Sequence, residues 1–215
     1  MKTPKNLLVI ALLSLFLLLS FFSFAQIPQG YYSRAIGKSG RELQDSLHEI
    51  IKNHISIPYD DLWPYFLLTD PVQDDSTRIM DIYSNCTFTV DQHGLTGSNY
   101  CDIYNREHAF CQSWMGVSNY DYPYAPCRSD VHHIYPVDSR MNSTRNNNPY
   151  SIVNGPDAIV YENGSKLGNN SYFCSIDSVD NSQNAFEPID EYKGDIARSL
   201  LYMGVRYLYE DDHFT

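Results

Sequence analysis

The chain opens on its longest apolar stretch, LLVIALLSLFLLLSFF, with Lys2 and Lys5 before it and the small residue Ala25 after it. A basic start, an apolar run and a small boundary residue form the pattern of a cleaved export signal, which predicts a leader at residues 1–25. Kept in place, the same run is long enough to span a bilayer. In SGRELQDSLHEIIKNHI the apolar positions Leu43, Leu47, Ile50 and Ile51 recur at helical spacing, and Ser39 with Glu42 reads as a capping box. DDLWPYFLLTD predicts a second, short helix, with Pro64 in its first turn and Pro71 forbidding continuation. TRIMDIYSNCTFTV reads as extended structure running into the glycine-containing turn of DQHGLTGSNY, and DIYNREHAF as the next strand. Residues 154–184 are dense in Asn, Ser, Gly and Asp, as expected of long surface loops. The last periodic segment, KGDIARSLLYMGVRYLY, sets Ile196, Leu200, Met203 and Tyr207 on one helical face.

Without the leader, residues 26–215 suit a single domain with one substantial core. There is no internal repeat, and the chain stops at YEDDHFT directly after a strong helix, so we expect it to be truncated at its C-terminus. Removing Lys2 and Lys5 takes the 15 basic residues to 13 against 26 acidic ones, a net charge of −13. Such a balance argues against long-range attraction to nucleic acid, but leaves a local basic cleft free to act. Five cysteines in an exported chain point to an oxidising compartment and at most two internal disulfides, and their spacing lacks the paired short intervals of a zinc ribbon. Each of the 18 tyrosines reads by itself as an amphipathic residue packed at a core edge.

Candidate chemistry gathers between Glu107 and Asn148: a carboxylate, His108, His132 and His133, Asp130 and Asp138, Arg128, Arg140 and Arg145, and a cluster of amides. Taken singly, each has an ordinary reading, with Glu107 in a surface ion pair, His108 in a half-buried slot and the Asn run in a loop. Together they exceed what a solvated loop needs. Successive residues of a regular strand point to opposite faces, so Glu107 and His108 reach one site only if the strand ends there. Pro136 is expected to break any ladder begun at His132 and His133.

Three ordered blocks, YNREHAFCQSW, SDVHHIYPVDSRMNSTRNNNPY and FEPIDEYKGDIARSLLYMGVRY, resemble the signatures of the bacterial endonuclease I family of exported, non-specific nucleases. The resemblance runs from about Tyr83 to Tyr209. It implies an α+β fold with a ββα-metal (His-Me finger) core, flanking helices and long surface loops. It implies His108 as general base and Glu107 with Asn142 as ligands of one divalent cation, Asn142 lying in a short helix over residues 139–147. The cation the resemblance implies is Mg²⁺, with Ca²⁺ or Mn²⁺ as alternative occupants; hard cations take oxygen donors and keep water, which suits such a ligand set. Arg145 matches a family arginine, facing phosphate or anchoring the helix. Arg128, Asp130, His132, His133 and Arg198 are supporting candidates around the cation or the phosphate. The family commonly has Pro where this chain has Cys111, which points to a Cys111–Cys127 disulfide beside Cys86–Cys101, with Cys174 free.

The implied activity is hydrolysis of DNA, and of RNA as a further substrate, with little sequence specificity and 5′-phosphate products. The implied substrate is mainly double-stranded DNA, bound in a cleft near Arg106, Arg128, Arg140 and Arg145. The implied protein is a monomer, secreted or periplasmic, with no membrane attachment once the leader is cut and no stable protein partner. Two other readings compete. One is a secreted binding or adhesion module whose Asn- and Tyr-rich loops contact glycans or protein. The other is a zinc hydrolase using His108, His132 and His133, disfavoured because adjacent histidines ligate one ion awkwardly.

Overall fold

The computed structural model describes residues 27–115, 125–169 and 184–210. The expected leader and Cys174 lie outside the described residues, as does part of the expected loop at 154–184. The chain divides into two compact units, residues 1–37 and 38–215. The described part of the first carries one 3-10 turn, Ser33–Ala35. The second has the mixed composition of an α+β fold, with four α-helices and three small antiparallel sheets among the described residues.

Helix α1 (Gly40–Ile51) begins where Ser39 is extended, but the Ser39 hydroxyl makes no capping bond and only its carbonyl takes the Leu43 N–H, at 3.3 Å. The expected capping box is not formed, because Glu42 turns outward to pair with Lys38 at 3.4 Å. Leu43, Leu47 and Ile50 are half-buried, and the deepest positions are Ser46 and His48. The His48 imidazole donates to the Val205 carbonyl (3.0 Å) and Gln44 to that of Gly204 (3.1 Å), so α1 docks on the final helix through polar contacts as well as its apolar face.

Two 3-10 turns, Tyr59–Asp61 and Trp63–Tyr65, lead into the single turn of α2 (Phe66–Thr69). Strands β1 (Pro71–Val72), β2 (Asp75–Met80) and β3 (Thr87–Phe88) form the first sheet. The expected continuous extended run is interrupted between β2 and β3. There the buried Asp81 carboxylate accepts the N–H groups of Tyr83 (2.7 Å) and Ser84 (3.2 Å) and folds the chain back. Leu62, Phe66, Ile79, Phe88, Tyr104 and Ile134 form the core beneath this sheet.

Strands β4 (Tyr104–His108) and β5 (Ile134–Asp138) pair along their full length, Tyr104 opposite Asp138 and His108 opposite Ile134. Pro136 does not break this ladder. It sits in β5 opposite Arg106, because β5 pairs only with β4 and the missing N–H falls on its free edge. Helix α3 (Ser139–Arg145) follows with no connecting loop. Asp138, fully buried, caps it by accepting the N–H groups of Arg140 (3.0 Å) and Met141 (3.1 Å), while its other oxygen takes Cys101 N–H at 2.7 Å. One buried carboxylate thus fixes where the strand stops and the helix starts.

The third sheet, β6 (Ile159–Val160), β7 (Lys166–Asn169) and β8 (Asn184–Glu187), shows that the expected loop region carries strands of its own. Helix α4 (Asp190–Arg206) buries Ile196 and Met203, with Tyr207 buried just past its end. A second core, Ile82, Tyr83, Val137, Met141, Phe186 and Ile196, joins α4, α3 and β8. Cys86 and Cys101 form a disulfide closing a loop of about 15 residues, worth about 3 kcal/mol through the entropy of the unfolded chain.

Candidate functional site

The ribbon of β4 and β5 with α3 behind it shapes one wall of a cleft of about 460 Å³, lined among others by Tyr59, Asp60, Arg106, Glu107, His108, Gln112, Arg128, Asn142 and Arg145. Alternation along β4 sends Arg106 and His108 toward Tyr59, and Glu107 to the opposite side, toward Tyr83 and Arg145. Because β4 ends at His108, both faces of its last residues reach the cleft. Asn142 enters from α3, and its Nδ2 reaches the Arg106 carbonyl at 3.5 Å.

Glu107 is almost fully buried. Its Oε1 accepts the Tyr83 hydroxyl (3.0 Å) and Arg145 Nη1 (2.9 Å), and Tyr83 in turn shares a hydrogen bond with the Tyr150 hydroxyl. Burial pushes the Glu107 carboxyl up to about 7, against the pull of Arg145. Arg145, with its side chain 1 % exposed, also donates to the carbonyls of His108 (3.0 Å) and Ala109 (3.0 Å), and lies over the Tyr150 ring at 4.5 Å. These three hydrogen bonds of the arginine point inward, onto the carboxylate and the end of β4.

The His108 ring is held at both nitrogens. Nε2 lies 2.9 Å from the Arg128 carbonyl and must carry the proton to bond it, which leaves the lone pair on Nδ1; the Gln112 amide nitrogen lies over the ring, 3.0 Å from Nδ1 and 3.1 Å from Nε2. Burial, reinforced by the nearby His133, holds this imidazole well below its usual pKa, so it is neutral at ordinary pH. A neutral imidazole with a fixed tautomer and a lone pair facing a polar cleft is a proton acceptor in waiting.

Oxygen donors suited to a hard cation are present. Glu107 and Asn142 both line the cleft; the bonds from Tyr83 and Arg145 fall on Glu107 Oε1 and Asn142 donates through Nδ2, so Glu107 Oε2 and Asn142 Oδ1 are the oxygens left for a cation. The triad of histidines does not converge. His132 stacks on Tyr202 and bonds Asp130, while His133 is fully buried with Nε2 on the Cys127 carbonyl. Among the described residues, no group of three His, Cys, Asp or Glu side chains is placed to hold a metal.

Asp130 forms a separate anchor behind the cleft. Its buried carboxylate accepts the hydroxyls of Tyr202 and Tyr207 (2.8 Å each) and both the backbone N–H and the ring of His132. Burial works to raise Asp130, but the bonds from His132 and Tyr202 outweigh it and hold the carboxyl well below its usual value; the same bond raises His132. Arg128 lies in the cleft with its guanidinium over Tyr59 at 3.8 Å. Arg140 is not among the lining residues and bonds the Ser98 carbonyl, and Arg198 pairs with Asp195 on the exposed side of α4. The expected Cys111–Cys127 disulfide is not formed. Cys111 remains a buried thiol, 3.8 Å from the Asn146 carbonyl, and burial pushes it up to about 12.

The family model of endonuclease I matches residues 39–213. The chain belongs to the endonuclease I family. Among curated proteins it is similar to the extracellular ribonuclease of Bacillus subtilis (strain 168), 31 % identical over 187 residues, covering 85 % of this chain and 55 % of the relative. It is also similar to the extracellular ribonuclease of Bacillus amyloliquefaciens, 30 % identical over 181 residues, 82 % of this chain and 53 % of the relative. The chain spans about half the length of the curated relatives it matches. No solved structure matches it.

In this endonuclease I chain, the first signature block supplies β4 and the second supplies β5 and α3. The cleft also draws on residues outside the blocks or silent within them. Tyr59 comes from the first 3-10 turn, Tyr83 from the turn after β2, and Gln112 from beyond β4. For the two tyrosines the sequence signal was the high frequency of that residue type, and Gln112 carried none.

Proposed function

We propose that this protein is an exported, metal-dependent endonuclease that hydrolyses phosphodiester bonds of DNA and RNA with little sequence preference. The observation that carries the reading is the cleft itself. A neutral imidazole, a carboxylate, an amide oxygen and the three arginines Arg106, Arg128 and Arg145 line one polar cavity at the end of a two-stranded ribbon followed by a helix. This β-β-α order supports a ββα-metal core, and family membership supports nuclease chemistry.

In this reading His108 Nδ1 takes a proton from a water once Gln112 has moved off it. The hydroxide oxygen attacks phosphorus in line, the bond to the 3′ oxygen breaks, and the product keeps a 5′ phosphate. The Arg128 carbonyl holds Nε2–H and stabilises the imidazolium that forms. Glu107 and Asn142 would hold the cation, Mg²⁺, which supplies charge neutralisation at the phosphate and the departing oxygen. Arg145 keeps Glu107 oriented and the end of β4 in place, and Arg128 faces the phosphate. Because water rather than a ribose 2′ hydroxyl is the nucleophile, the step does not require RNA, and contacts to phosphate carry no direct base readout. The names of the two Bacillus relatives support RNA among the substrates, and their extracellular location supports export.

The test is incubation of the purified protein with plasmid DNA and with RNA, with Mg²⁺ or with chelator, beside a His108→Ala variant. Cleavage of either polymer that needs the cation and falls about 10² to 10⁴-fold in the variant is expected. Intact polymer in every lane would favour the binding module instead.

A further inference from the structure

A column of stacked side chains flanks the cleft on the Tyr59 side. The guanidiniums of Arg128 and Arg106 lie 3.8 and 3.6 Å from the centre of the Tyr59 ring, so close that they must occupy opposite faces of it. Trp63 covers the other side of Arg106 at 4.1 Å, and His93 stacks on Trp63 at 4.1 Å with the rings 12° apart. Arg106 is therefore fixed by two aromatic faces and by a 2.6 Å bond from Nη1 to the Tyr59 carbonyl. Its Nε, buried, has no hydrogen-bond partner.

One further contact completes this arginine, and it differs in kind from the rest. Nη1 also lies 3.3 Å from Asp60 Oδ1, in a pair whose side chains are 8 % exposed for Arg106 and 93 % exposed for Asp60. The arginine needs no help from this carboxylate to stay in place. Asp60 lines the cleft, carries the same charge sign as a phosphate and can swing into solvent at little cost, since exposed ion pairs are weak. Arg106 stands two residues before His108 on the same face of β4, about 7 Å along the strand.

We propose that Arg106 is a preformed subsite for the phosphate neighbouring the scissile one on the substrate strand, and that the Asp60 carboxylate occupies it in the empty enzyme. The inference rests on the nuclease reading and adds a second phosphate contact to it. Substrate binding exchanges Asp60 for a phosphodiester oxygen on a guanidinium already held in position, so little ordering is required of the protein. Asp60 acts on affinity, not on the chemical step.

The experiment compares wild type with Asp60→Asn in the cleavage of a fluorescently labelled single-stranded DNA of about ten nucleotides. A dinucleotide with one phosphodiester and a tetranucleotide with three serve as unlabelled competitors. Expected for Asp60→Asn are an unchanged kcat, a KM about two- to five-fold lower, as the loss of an exposed competing ion pair allows, and a matching fall in Ki for the tetranucleotide but not for the dinucleotide. Introducing Arg106→Gln as well, with folding verified by thermal unfolding, should remove the gain. An unchanged KM, an equal gain for both competitors, or a gain that survives Arg106→Gln would overturn the proposal. Wild-type protein that cleaves no nucleic acid would instead overturn the parent reading.

Discussion

Arg145→Ala is the perturbation that separates the two roles open to this arginine. The side chain is almost wholly buried and donates three hydrogen bonds of 2.9 to 3.0 Å, one to Glu107 and two to the carbonyls of His108 and Ala109. Removing one partner of a buried ion pair costs about 3–5 kcal/mol, because the remaining charge is left uncompensated. At roughly 2–4 °C per kcal/mol for a chain of this size, the melting temperature should fall by roughly 6–20 °C. The loss also has a pH signature in metal-free buffer with chelator. Glu107 has a folded pKa raised from 4.5 to about 7. A raised carboxyl means that the native state binds the extra proton, so the wild type loses stability as pH rises from about 4.5 and stops losing it just above 7. Without the guanidinium the carboxyl is pushed higher still, and the variant goes on losing stability into the alkaline range. Urea unfolding of both proteins at pH 6 and pH 8.5 should therefore show the gap widening with pH. Replacing both partners, Glu107→Gln with Arg145→Met, should recover most of the loss. A penalty below about 1 kcal/mol, or one that shrinks as pH rises, would refute the anchoring role.

Three further outcomes follow from the same geometry. Because His108 must be neutral to accept a proton and burial depresses its pKa, the rate should fall only as pH drops below the ordinary imidazole value of about 6.5; a pH–rate profile with its acid limb above 6.5 would contradict this environment. Asn142→Ala should raise the Mg²⁺ concentration needed for half-maximal cleavage by about 10-fold or more while leaving the fold intact, measured by metal titration of activity beside circular dichroism. Asp130→Asn should cost about 2–3 kcal/mol by loosening α4 from the loop before β5, read by denaturant unfolding at pH 7. In the wild type the depressed Asp130 contributes stability present above about pH 4 and lost as pH falls. The raised His132 contributes stability present below about pH 6.5 and lost as pH rises through its folded value.

Much of the helical framework could be read from periodicity, since the alternation of apolar positions in α1 and α4 reports directly which stripe must leave water. Endpoints were harder. Ser39 has the residue type of a cap, yet Glu42 found Lys38 instead, and nothing local decides between those partners. The break after Met80 was hidden for a related reason: Asp81 folds the chain back while also accepting the N–H of Asp138, 57 residues away. Pro136 was read against the average strand, whereas its tolerance depends on β5 having a single neighbour, which is a property of the sheet and not of the segment.

The site divides along the same line. Residue types with intrinsic chemistry, Glu107, His108 and Asn142, announce themselves in ordered blocks. The groups that set their behaviour do not, because they act across 20 to 47 residues of sequence: the Arg128 carbonyl on His108, Tyr83 and Arg145 on Glu107, and the Tyr59 carbonyl on Arg106. A tyrosine that buffers a buried carboxylate and one that merely edges a core have the same local signal. The adjacency of Glu107 and His108 shows what is lost without the fold. Strand alternation turns them to opposite sides, and only the end of β4 at His108 lets one cleft reach both. Each also acquires its own environment, an arginine and two tyrosines for Glu107, a carbonyl and an amide for His108. Had β4 continued past His108, the two side chains would face separate compartments. A strand lengthened by two residues after His108 should therefore abolish activity, and should also lower the melting temperature, because it displaces the Ala109 carbonyl from Arg145.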